Sequence, residues 1–146
     1  MELYEHIKTF DVKYCDVDFK DELKPSAVLA YLEEVACSSA DGLGFGYSYL
    51  KPRSYAFMLT KIRCEFLAPV PLGEHISVKT WPTPPSYVVF GREYQILSAR
   101  GDVLLNATSR WCMVDMHTGK LLQSKVLDNQ DYSSYNPSRA LDINRW

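Results

Sequence analysis

The 146-residue chain predicts an α+β fold, with one long helix packed on a curved antiparallel sheet of about five strands. Two observations carry this. Apolar residues recur at helical spacing in a single stretch, residues 26–41, and at a spacing near two almost everywhere from residue 55 to 115. The strand-like stretches are joined by short loops, which makes neighbours antiparallel.

In chain order, residues 8–14 set Phe10, Val12 and Tyr14 against Asp11 and Lys13, the alternation of a half-buried strand. Between 26 and 41, Val28, Leu32, Val35 and Ser39 recur at three and four residues. Pro25 or Ser26 supplies the start signal and Gly42 the stop. The run GLGFGYSYLKPRS is punctuated by glycine and proline and reads as a connection. Strands follow over 55–67, 75–81, 87–98 and 103–115, separated by the turns PVPLGE, PTPPS and ARGD. From residue 124 the chain is polar and without period, so a domain over 1–123 is followed by a tail over 124–146, either loose or tied down by another segment. A single helix lying across such a sheet is the hot-dog architecture. A free sheet edge on so small a domain predicts pairing with a second copy, as a dimer or a dimer of dimers.

Composition removes several classes of function. The net charge is −2 and the basic residues are dispersed, so the footprint of a nucleic-acid binder is missing. No apolar run approaches the roughly 20 residues that span a bilayer, and MELYEHIKTF lacks the basic flank and apolar core of a signal peptide, so a cytoplasmic protein without membrane contact is expected. Cys15, Cys37, Cys64 and Cys112 form no C-x-x-C pair and are expected as free, buried thiols. His6, His75 and His117 are too scattered for a metal motif, and no metal is expected. The GLGFG run follows a helix instead of opening one, which argues against a dinucleotide loop.

The stretch DVDFKDELKPSAVLAYLEEVA, residues 16–36, holds the candidate chemistry. Asp18 lies close to the predicted helix start, where free N–H groups and the helix dipole attract negative charge. The same placement is also that of an ordinary loop carboxylate. Ser26, Ala30, Glu33 and Cys37 fall along one stripe of the helix, and paired glutamates there fit either a site or a solvated strip.

This stretch, with LGFG, LTKIRCEF, GEHISVKTWP and LNATSRWCMVDMHTGKLL in the same order, resembles the acyl-acyl carrier protein thioesterases of plants and bacteria, within the hot-dog thioesterase superfamily. The resemblance covers about residues 4–122. It implies hydrolysis of an acyl thioester on acyl carrier protein or coenzyme A, in fatty acid biosynthesis, with no cofactor. Such chemistry needs a carboxylate to activate water or attack the carbonyl, and N–H donors for the oxyanion. Asp18 matches the second Asp of the D-x-D that carries catalysis in single-domain relatives, and Glu33 matches the helix position used by others. The oxyanion donor position aligns with Pro25, which has no N–H; Ser26 is the next donor.

Departures are equally visible. The active half of the two-domain enzymes shows Asp-x-Asn-x-His, and this chain has Lys20 and Glu22 at the latter two places. In pattern it is similar to the N-terminal half, which shapes the acyl pocket. A non-catalytic acyl-binding module, or one half of a two-domain thioesterase, is therefore the alternative to an active homodimer. A dehydratase is disfavoured, because no histidine lies near the helix start. Val28, Leu32, Phe57, Leu59 and Trp111 are candidates for acyl recognition and equally for plain core. Lys61, Arg63, Arg92 and Arg110 could meet a phosphate or simply face solvent.

Overall fold

The computed structural model describes residues 3–143; the extreme ends of the expected domain and tail, residues 1–2 and 144–146, lie outside the described residues. Strands β1 (His6–Asp11), β2 (Tyr55–Phe66), β3 (His75–Pro82), β4 (Phe90–Leu97) and β5 (Val103–Asp115) form an antiparallel sheet in the order β1-β3-β4-β5-β2. A two-residue β6 (Leu121–Leu122) pairs with β5 beyond the end of β4. Helix α1 (Pro25–Leu43) lies across the sheet, and α2 (Tyr47–Arg53) follows it.

Several boundaries move for identifiable reasons. The alternation through Tyr14 does not extend β1, because Tyr14–Asp16 wind into a 3₁₀ turn and leave Tyr14 80% exposed. Gly42 lies within α1; the stop is Gly44, whose φ of 87° closes the helix with its N–H on the Ala40 and Asp41 carbonyls. Helix α2 lies inside the segment expected to be a connection. It starts directly after Gly46, where a side chain would overlap the Asp41 carboxylate. Strand β4 begins at Phe90 because Tyr87, at φ 58°, turns the chain between Ser86 and Val89.

The helix buries Val28, Leu32, Val35 and Ala36 against Ile76, Val78, Tyr94, Ile96, Leu105 and Ala107. A bulge between Leu59 and Lys61 reverses the side-chain parity of β2. Ile62 and Cys64 below it, and Phe57 above it, thereby face the same side of the sheet. Phe57 packs on a second cluster of Phe45, Met113, Leu127 and Tyr135.

Leu127 and Tyr135 belong to the segment beyond residue 123, which is tied down at both ends of its course. Asn129 and Gln130 donate side-chain hydrogen bonds to the Gly44 and Leu43 carbonyls at 2.9 and 2.8 Å. Trp81 Nε1 donates to the Ser138 carbonyl at 2.9 Å, and the Ala140 N–H donates to Glu93 Oε1 at 3.0 Å. The expectation of buried cysteines is corrected: all four are free, but Cys15 and Cys37 are exposed and Cys64 and Cys112 half-buried, since the first two lie on the outer loop and outer face of α1. Removing the Leu127 side chain should open a void in the second cluster. L127A is expected to lose about 2–5 kcal/mol of stability, measured by urea unfolding.

Candidate active site

The second half of α1, α2, the adjoining ends of β2, β3, β4 and β5 and the tail line a half-open cavity of about 630 Å³. That is the size range of small-molecule sites. Its lining is mostly apolar and aromatic, including Phe57, Phe90, Trp111 and Tyr135. Glu33, Cys37 and Asp41 come to it from one stripe of α1, and Lys51 from α2. Burial and then the negative Glu33 and Asp41 push the Cys37 thiol pKa up.

The residues singled out from the sequence fall in three places. Glu33, Phe57 and Trp111 line the cavity. Val28 and Leu32 are in the main core, and Leu59, on the sheet's outermost strand, is 45% exposed. Ser26 lies in the first turn of α1 and Asp18 in the turn ahead of it, both outside the cavity lining. Seven residues separate Ser26 from Glu33, about 10 Å along the helix axis.

At that helix start, Asp18 Oδ1 accepts from the Lys20 and Glu22 N–H groups at 2.8 and 3.2 Å, which folds the loop ahead of the helix into a tight turn. Its Oδ2 has no hydrogen bond among the described residues. Asp16, the other aspartate of the pair, accepts from the Tyr31 hydroxyl at 2.5 Å and anchors the loop to α1; burial, then this carboxylate, raises the tyrosine's pKa. Pro25 at the first helical position has no N–H, and the Ser26 N–H bonds to nothing among the described residues, so one exposed donor stands at the helix start.

Two charged residues are buried side by side on β4. Arg92 is only 6% exposed, and burial lowers its pKa. Its Nη1 donates to Ser39 Oγ at 2.9 Å and Thr80 Oγ1 at 3.2 Å, and the side chain forms part of the cavity wall. The expectation that Arg92 stands on a solvated strand face is thereby corrected. Its parity with Phe90, Tyr94 and Ile96 was the available sign, because these are core-facing positions. Glu93, on the opposite face, is fully buried; its Oε2 accepts from Thr108 Oγ1 at 2.5 Å and lies 3.9 Å from Arg110 Nη1. Burial pushes its pKa up, against those hydrogen bonds and the nearby arginine.

A family model described as acyl-ACP thioesterase N-terminal domain matches residues 4–130. The chain belongs to this family. An acyl-ACP thioesterase from Bacteroides thetaiotaomicron superposes with a TM-score of 0.86 at 21% identity, covering 97% of this chain and 58% of that one. The 12:0-ACP thioesterase of Umbellularia californica gives 0.84 at 15% identity, with 97% and 59% covered. The DHNA-CoA thioesterase of Staphylococcus aureus gives 0.76 at 16% identity, with 84% and 83% covered. These likenesses fix the hot-dog fold. This chain spans less than two thirds of the two acyl-ACP thioesterase chains. No curated protein matches its sequence. No group of three or more potential metal ligands occurs among the described residues, and none of their helices is long and apolar enough to cross a membrane.

The raised pKa of Glu93 sets a sign for stability. The folded state holds this proton more tightly than the unfolded chain, so the contribution is present at low pH and lost as pH rises from the ordinary glutamate range through the higher folded value. In E93Q the difference in Tm between about pH 5 and about pH 8 should shrink; an unchanged slope would assign it elsewhere.

Proposed function

We propose that the chain is the acyl-holding unit of a thioesterase that hydrolyses acyl chains from acyl carrier protein or coenzyme A, without a cofactor. The observation that carries this is the apolar cavity of about 630 Å³ reached from the outer stripe of α1. In this reading the thioester lies at the helix start and the acyl chain runs along Ala30, Glu33 and Cys37 into the cavity. Asp18 acts as the base: its Oδ2 takes a proton from water, whose oxygen attacks the carbonyl, and the Ser26 N–H stabilises the oxyanion. Collapse expels the thiolate, which recovers the proton. Glu33 supports the reaction from the cavity side, about 10 Å along the helix and too far to touch the same carbonyl. Phe57 and Trp111 meet the acyl chain directly, while Val28, Leu32 and Leu59 shape its surroundings. A cytoplasmic location belongs to the same proposal.

The exposed stripe on α1 calls for a second hot-dog unit, and a second copy of the chain is the proposed one. Strand β2 supports it. Its outer edge pairs with no strand among the described residues, and Met58, Leu59 and Phe66 are exposed on it.

Thiol release from acyl-CoA and acyl carrier protein substrates tests the activity. D18N is expected to lose a factor of about a hundred or more, and E33Q less. Full turnover by D18N would remove Asp18 from the chemistry, and binding without any turnover would favour a non-catalytic acyl-binding module. In sedimentation, the wild-type chain should run as a dimer or larger and L59K should shift toward monomer; a monomeric wild type sinks the pairing.

A further inference from the structure

Among the described residues, Arg92 is the one cation in the wall of this cavity that is itself buried. A guanidinium carries five N–H donors. Only Nη1 is engaged, by two hydroxyls, and no carboxylate pairs with the group among the described residues. Yet no fully enclosed side-chain nitrogen or oxygen among those residues lacks a partner. The donors on Nε and Nη2 are therefore not fully enclosed, and Arg92 is part of the cavity wall. A plain hydrocarbon seated there would strip water from these donors and return nothing, leaving a buried charge poorly solvated. A ligand oxygen within reach would restore what the water supplied.

We propose that the cavity selects acyl groups carrying an acceptor oxygen on the chain, a hydroxyl, keto or carboxylate oxygen, held by the free donors of Arg92. This rests on the acyl-binding reading above and sharpens its substrate class. The charge-assisted bond adds to whatever the apolar walls contribute and is realised only by chains that place oxygen at the right depth. Discrimination of this kind is steep, because a site built to bond an oxygen penalises the analogue that lacks it.

Non-hydrolysable S-alkyl thioethers of coenzyme A separate binding from turnover. Calorimetric titration of the wild-type chain would compare S-dodecyl-coenzyme A with analogues bearing one hydroxyl or one keto group, walked along the chain, and with a terminal carboxylate. At one position the oxygenated chain should bind about tenfold or more tightly than the plain one, and the best member identifies which oxygen is preferred. R92M should abolish the preference between oxygenated and plain chains; R92K should keep part of it. If every oxygenated chain binds no better than S-dodecyl-coenzyme A, the inference is overturned and acyl binding stands. If no thioether binds, both fall. The wild-type comparison decides the matter even where R92M does not fold.

Discussion

Two oppositely charged residues occupy consecutive positions on the central strand β4, and the pleat sends them to opposite faces of the sheet. Glu93 is fully buried and Arg92 only 6% exposed. Burying an isolated ion is prohibitive unless hydrogen bonds replace its hydration, so each face must bring polar partners to the same height on the strand. On the helix face Ser39 and Thr80 do this for Arg92. On the other face Thr108 and the Ala140 N–H do it for Glu93. The position of α1 and the course of the tail are both answers to one pleat.

Ser39 also explains how the helix divides the core. It is the last fully buried residue of α1, and beyond it the apolar packing belongs to a different cluster, built from Phe45, Met113, Leu127 and Tyr135. The main core is closed by large aliphatic side chains. The second is ringed by aromatic residues around open space, where the small side chains Ala36 and Ala40 of α1 face α2 and the tail. The bulge in β2 makes this possible: without the reversal, Phe57 would point away from the cavity that it lines.

Much of this architecture was legible. Spacing places α1 and the five main strands because each has a buried face whose period the sequence must repeat. The tail was not, since each of its polar attachments has a backbone group as one partner, the Leu43, Gly44 and Ser138 carbonyls and the Ala140 N–H, and residue type does not reveal that half of the bond. Helix α2 is a single packed segment of 7 residues with a proline in its last turn, too short to show a period. At the site, Asp18, Ser26 and Glu33 could be singled out as candidates from sequence, but not which turn of α1 meets the cavity. That depends on where β4 and β5 end relative to the helix, a tertiary fact. Arg92 lay in plain sight on a core-facing parity, where residue type argued one way and position the other.

The separation along α1 has a mechanistic consequence. In the proposed reaction the groups at the helix start, one free N–H and a loop carboxylate, would serve any thioester alike. In that proposal the cavity, about two turns away, does not touch the reacting carbonyl, and whatever it contributes comes from the remote part of the substrate. Binding energy gathered there can hold the thioester in reacting geometry, and an acyl chain that fills the cavity poorly then loses rate as well as affinity. A unit whose chemical groups are ordinary and whose cavity is particular would have its selectivity written in the cavity, with the buried guanidinium of Arg92 as the most particular group in it.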